Sequence, residues 1–482
     1  MVFWFVILYL LLSVGIGLFA ATRVQNSKDF AVAGRSLPLP VVTATVFATW
    51  FGAEAVLGIS ATFVKEGLRG VVADPFGSSM CLILAGLFFA PRLYRLNMLT
   101  VGDYYRYRYN RTIEVLCTLC IVASYLGWVA AQFKVLALVL NVVTEGAVSQ
   151  SVGIVIGAAI VLIYTTFGGM FSVAILDFVQ ISVIMGGLLY IASLVGDLAG
   201  GVGTVIEQAA AAGKLELFPP ATFTAWLPFV GAWMTMMLGS IPQQDVFQRI
   251  TSAKDERTAV RGALLGAVLY FSFCFVPMFL AYAATLIDPA KFGFLLEQDS
   301  QLILPTLILE HTPIAAQIIF FGAVLSAVMS CSSATLLAPS VALSENVVKP
   351  LLSNVNDAEF LRLMRVVLIG FASVVLIIAL WSDATIYKMV VSTYKVTLVA
   401  AFIPLFAGLY WKRATAQGAL WAIVAGLTSW LALELVSQPT DVCPPQLVGF
   451  VMAAIGMFVG SLWPSQGLAA HEASGGVRDG AA

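Results

Sequence analysis

Charge is what this sequence lacks most. Only 11% of its 482 residues are Asp, Glu, Lys or Arg. Soluble domains carry about 25%, so the composition excludes a soluble globule. Histidine is scarcer still: His311 and His471 are the two in the chain. Neither lies in an H-E-x-x-H pattern, no glycine-rich phosphate loop is present, and the serines have no plausible base beside them, so an enzyme is not expected. Lys and Arg number 25 against 26 Asp and Glu. Without a surplus of positive charge there is no electrostatic case for nucleic acid. Of the six cysteines, Cys117 and Cys120 form a C-x-x-C, but in an apolar run with no histidine nearby, and they read as small core residues.

What the chain has instead is apolar length. Hydrophobic residues make up 60% and mean hydropathy is +0.96. A helix needs roughly 20 apolar residues to cross the hydrocarbon of a bilayer. Such runs fall at 2–20, 38–61, 73–91, 113–143, 151–168, 172–197, 223–244, 259–285, 313–340, 364–381, 386–411, 415–436 and 446–463, thirteen expected spans. The fold class is therefore an all-α integral membrane protein: one transmembrane domain over 1–463, then a short polar tail, 464–482, expected to be disordered and cytoplasmic. The first run lacks a basic n-region and a small-residue cleavage site, so it reads as a helix rather than a leader. With the N-terminus outside, the inner segments hold eighteen Lys and Arg, Arg249 and Arg478 among them, against four outside. The positive-inside rule then places the N-terminus outside and the C-terminus in the cytoplasm.

Three spans look interrupted. The second, "FATWFGAEAVLG", carries Gly52 and Glu54; the seventh ends "MMLGSIPQQDVFQR"; the ninth holds "LSAVMSCSSATLLAPS", rich in hydroxyls and closed by Pro339. Lipid cannot hydrogen-bond a freed backbone, so a break survives only inside protein or along a water-filled cavity. Interrupted segments at matching places in two halves point to a transporter's binding site. Spans 2 and 7 are five apart, so spans 2–6 and 7–11 form two five-helix repeats of inverted topology, a core over roughly 38–411.

At these residues the sequence resembles the sodium:solute symporter family. "DFAVAGRSLPLP" is similar to the loop leading into its first core helix, "TTFGGMFSVAILDFVQ" to its glycine pair followed by Asp and Gln, and "LSAVMSCSSATLLAPSVALSENV" to its hydroxyl-rich helix. "TWFGA", "CLILAGLFFAPRLYR" and "MLGSIPQQDVFQRI" look most like the choline-transporter branch. The resemblance implies the leucine-transporter type of fold and sodium-driven uptake of a small solute by alternating access, in the cell membrane, as a monomer, with Na+ as the coupling ion and no organic cofactor.

The resemblance also implies where the ion goes. Carbonyls of Ala48 and Phe51 on span 2 and of Ala327 on span 9, with the Ser330 hydroxyl, would hold sodium, and Asp177 on span 6 would stand close by. Sodium is a hard cation that takes oxygen ligands. Ala327 and Ser330 are three apart, on one helical face. Cys331 stands where the family often has a second hydroxyl, and a thiol is a poor sodium ligand. Lys134 and Lys395 lie within spans. Lys395 either occupies a cation site as a protonatable amine, which with Glu54 would replace sodium by proton coupling, or snorkels or pairs with a carboxylate. A transporter-like sensor is a further alternative.

The solute is expected between the breaks of spans 2 and 7. Candidates are Trp50, Gly52 and Glu54; Asp74 and Ser78, four apart; Trp128 and Gln132, four apart; and Gln243, Gln244 and Asp245 after Pro242. An ionisable group at membrane depth costs roughly 2.5–3.5 kcal/mol on insertion scales, which makes each a functional-site hypothesis. Asp245 and Asp74 could face water at the two membrane surfaces, and Glu54 could instead pair with Lys134. Trp50 and Trp128 match the choline branch's cage tryptophans, which hold a quaternary ammonium by cation–π attraction. Gln243 and Ser78 stand where further cage aromatics would be. This half-cage favours a solute that can be hydrogen-bonded (an amino acid, a hydroxylated or carboxylated solute, or a primary amine) over a quaternary ammonium, and Glu54 and Asp74 lean towards a group with positive charge. The expected solute is an amino acid, an amine or quaternary ammonium, or an organic acid.

Overall fold

The computed structural model describes residues 2–352, 354–436 and 443–463. The expected tail, with His471 and Arg478, lies outside the described residues. Every described element is helical, with one isolated backbone bridge between Leu37 and Ala253. Ten helices are long and apolar enough to cross a membrane, and two further pairs qualify as single spans bent at a short break. Residues Gln150–Leu198 form one 49-residue element. At 1.5 Å per residue this would run about 73 Å, more than twice the hydrocarbon thickness. It is divided at Gly169, whose φ of 47° and ψ of −142° are not helical. A Cβ there would also sit 2.5 Å from Phe30 O, so only glycine permits both the left-handed backbone and the contact. With each bent pair taken as one span, up to 12 candidate spans are found among the described residues, against the thirteen read from hydropathy.

The two bent spans are those expected. Leu39–Trp50 and Glu54–Glu66 meet at 55°, and Phe223–Gly239 and Gln244–Ser252 at 45°. In the first, Phe51 leaves the helix at φ −89°, ψ 73°, and the chain re-enters through a π-type turn over Glu54–Gly58. A Cβ on Gly52 would fall 2.7 Å from Cys331 Sγ and 2.9 Å from Gln132 Oε1. Gly52 is thus where spans 4 and 9 close onto the break. Gly239 serves the seventh span alike: a Cβ would sit 2.4 Å from Tyr394 O, and its carbonyl accepts from Thr397 Oγ1 at 2.6 Å.

The ninth span corrects the expectation of a third break. Ile314–Leu343 is one continuous helix with Pro339 inside it. Its hydroxyls do not free the backbone; they bond back onto it, Ser332 to Val328 O (2.6 Å), Thr335 to Cys331 O (2.7 Å) and Ser340 to Leu336 O (2.6 Å). Such i−4 bonds let a hydroxyl-rich sequence stay helical in an apolar setting. This helix lies at the centre, packed against the fourth span and the 150–198 element, while Ala416–Val436 and Pro445–Leu462 pair with each other at the edge.

Candidate solute and ion site

The break in span 2 is wired to span 4. Ala53 N–H, having lost its helical acceptor, donates to Gln132 Oε1 (2.9 Å), and Gln132 Nε2 donates to Glu54 Oε2 (2.7 Å). Trp128 Nε1 donates to Glu54 Oε1 (3.0 Å). The Glu54 carboxylate, 2% exposed, is thus held by two side chains four residues apart on one helix. The expected alternative pairing with Lys134 is not formed. Lys134 Nζ instead donates to the carbonyls of Ser382 (2.6 Å) and Ala384 (3.4 Å), at the start of span 11. Its four-carbon stem carries the amine to the end of the bundle, away from the midplane.

Around Glu54 stands more aromatic surface than the sequence reading allowed. Trp50 lies 5.9 Å from Trp128, 6.2 Å from Tyr394 in a stacked pair, and 6.4 Å from Tyr270 edge-on. Trp128 lies 5.6 Å from Tyr394 and stacks with Tyr125 at 5.9 Å. Tyr125, Tyr270 and Tyr394 come from spans 4, 8 and 11 and were not singled out in the sequence. For Tyr125 a signal exists: it lies three residues before Trp128 on the face that continues to Gln132. Tyr270 and Tyr394 carry none, because only the packing of distant helices brings them in. The half-cage expectation is corrected: Gln243 and Ser78 are not aromatic, but three tyrosines close the box.

Asp74 is buried at 1% exposure and does not face outer water. Its Oδ1 accepts from Ser78 Oγ (2.5 Å) and from Tyr270 Oη (2.7 Å). Asp245 is also fully buried rather than wetted, and accepts a hydrogen bond from the Tyr125 hydroxyl. Gln243 caps the second half of span 7 and donates to Ser124 Oγ (2.9 Å). Gln244 turns away from the box: its Oε1 accepts from Val101 N–H (2.9 Å), at the start of a short helix, Val101–Arg108. Following Gln243 into the new half-helix, it points to the opposite side, which corrects its place among the solute candidates. Arg249, counted above among inner-loop cations, lies buried on the same half-helix and donates to Thr49 Oγ1 (3.0 Å).

The proposed ion ligands meet next to this box. With Ala53 and Val56 N–H bonded to Gln132 and to Gly52 O, no backbone amide among the described residues closes onto the carbonyls of Ala48 or Phe51. Ala327 and Ser330 lie on the ninth span where it packs beside that break, Cys331 being the residue against Gly52. The Ser330 hydroxyl donates to Asp177 Oδ1, and Asp177 Oδ2 has no partner among the described residues. Ala48, Phe51, Ala327, Ser330 and Asp177 are all buried. Lys395 does not join them; its Nζ pairs with Glu434 Oε1 at 2.7 Å on the twelfth span. That bears on the proton alternative, since a lysine held by a peripheral carboxylate does not fill the central cation position.

Access differs on the two sides. A cavity of about 400 Å³ is lined by Gly58, Lys65, Glu66, Gln301, Tyr387 and Lys388, at the far end of the second span from Trp50. On the opposite side, a crevice between Val46, Trp50, Arg249 and Ala263 holds only about 10 Å³, roughly one water. The central box is closed to both.

A membrane bundle with two facing broken helices, a buried aromatic and carboxylate box between them and oxygen ligands beside one break is the build of a secondary transporter. The protein-family model for the sodium:solute symporter family matches residues 30–426, and the chain belongs to that family. Among curated relatives, the human high affinity choline transporter is 27% identical over 88% of this chain and 75% of its own length. The human sodium/iodide cotransporter is 26% identical over 90% of this chain and 69% of its own. Among solved structures, a Na+-coupled sialic acid symporter in a substrate-bound outward-open state superposes with a TM-score of 0.82 at 18% identity, covering 96% of this chain and 98% of that one. The protein is a sodium-coupled solute symporter of the membrane, and not an enzyme.

Proposed function

We propose that the protein imports a small organic solute carrying a positively charged nitrogen, driven by sodium and working as a monomer, with its N-terminus outside. The observation that supports this reading is the box itself: Trp50, Trp128, Tyr125, Tyr270 and Tyr394 stand around two buried carboxylates, Glu54 and Asp74. Aromatic faces attract a cation, and a carboxylate in a low-dielectric site strongly prefers one beside it. An organic acid would meet those two carboxylates with like charge. The relationship to a choline transporter agrees with a cationic solute, whereas the iodide relative shows how far substrates diverge at this level of identity. Sodium would enter by the carbonyls of Ala48, Phe51 and Ala327 and the Ser330 hydroxyl, with Asp177 neutralising its charge.

A thermal-shift screen of the purified protein against amines, quaternary ammonium compounds, amino acids and organic acids, each in sodium and in potassium, tests this. A ligand that binds only the native state raises its apparent stability. Stabilisation by amines or ammonium compounds in sodium alone is the expected result. Stabilisation by organic acids, or equal effects in potassium, would overturn the reading.

A further inference from the structure

The two carboxylates of the box differ in what they have left to offer. Both oxygens of Glu54 are engaged by Trp128 and Gln132, and Gln132 is in turn tied to the broken backbone through Ala53 N–H. Glu54 thus closes a ring that fixes the indole of Trp128 and the geometry of the break. Asp74 is arranged otherwise. Ser78 and Tyr270 both donate to its Oδ1, while Oδ2 has no partner among the described residues. Two hydroxyl donors on one oxygen hold the carboxylate in place and present the other.

Tyr270 joins this carboxylate to the box. Its ring stands edge-on to Trp50 (6.4 Å) and Phe51 (6.3 Å), and its hydroxyl reaches Asp74. Asp74 is thus tied to the aromatic rings through the Tyr270 hydroxyl.

We infer that Asp74, and not Glu54, is the carboxylate that recognises the solute, through an N–H···O bond from a protonated amine to its free oxygen, and that Glu54 is a positioning residue. This rests on the cationic-solute reading above and narrows it: the solute bears at least one N–H. A fully methylated nitrogen keeps its charge and its attraction to the aromatic faces, but it has no donor for Asp74 Oδ2.

Ethanolamine, N-methylethanolamine, N,N-dimethylethanolamine and choline form a series in which the N–H count falls to none. The full chain, purified and reconstituted in liposomes, is given each in turn, and sodium-dependent charge movement is recorded against concentration. The half-saturating concentration should rise about ten-fold or more at choline, the size of one lost hydrogen bond to a charged group. Asp74→Asn should flatten that step, Tyr270→Phe should weaken the N–H-bearing amines, and Glu54→Gln should lower transport of all four without changing their order. Choline saturating at or below the ethanolamine concentration in the unaltered protein overturns the inference, whether or not the variants fold. So does a series flattened by Glu54→Gln instead of Asp74→Asn. If none of the four moves charge, the cationic-solute reading fails and this inference with it; if all four do so without the step at choline, only this inference fails.

Discussion

Glu54 shows how a costly residue keeps its place in an apolar segment: two N–H donors from one face of span 4 meet its two oxygens. Glu54→Gln sets an amide N–H₂ against one of those donors, and an unsatisfied buried donor costs about 1–3 kcal/mol. Loss of most transport is expected with the folded protein retained, measured as uptake and melting temperature on one preparation; normal transport would make the carboxylate dispensable. Gly52→Ala is expected to be worse for stability, because its Cβ would meet Cys331 Sγ at 2.7 Å and Gln132 Oε1 at 2.9 Å. Overpacking of this kind costs typically 1–3 kcal/mol, read as a lowered melting temperature. A Gly52→Ala protein that melts like the parent would show that the break is looser than described. These positions were legible from sequence, since a glycine and an acid in a lipid-length run are conspicuous. Tyr270 and Tyr394 were not, because a tyrosine in an apolar helix signals nothing until distant helices bring it to a site.

At the level of elements, sequence distinguished true breaks from apparent ones only in part. Glycine with a following proline and amides marked span 7 correctly, but serines and a proline marked span 9 wrongly, because hydroxyls can bond within their own helix. The ninth span is a continuous wall beside the half-helices of spans 2 and 7. Ser330→Ala removes one oxygen from that wall beside Asp177. It should raise the sodium concentration for half-maximal uptake roughly five- to ten-fold, the range of one lost polar contact, with little effect on maximal rate; unchanged sodium dependence would remove Ser330 from the ion site. Gln244 belongs to another device. It anchors the second half of span 7 to Val101 N–H, so Gln244→Ala should free that half-helix. Faster labelling of a cysteine placed at Val46, beside the narrow crevice next to Arg249, would register this, and unaltered labelling would show the contact to be incidental.

For the molecule as a whole, composition sufficed to exclude a soluble globule and to yield the run of spans. The inverted pairing of spans 2 and 7 followed from their spacing, and the structure bends both. What sequence could not supply was the direction of long side chains: Lys134, Lys395, Gln244 and Arg249 all turn to partners that only the assembled bundle provides. Cavities of about 400 Å³ and about 10 Å³ flank the two ends of the bent second span, and alternating access would open one side at a time. The central claim is that sodium and a cationic solute bind together in this closed centre and move together. Proteoliposomes loaded without sodium, held at equal pH on both sides and given labelled amine with an inward sodium gradient, measure it most directly. Concentrative uptake that vanishes when potassium replaces sodium is the predicted result; uptake indifferent to sodium but driven by an imposed pH gradient would contradict it.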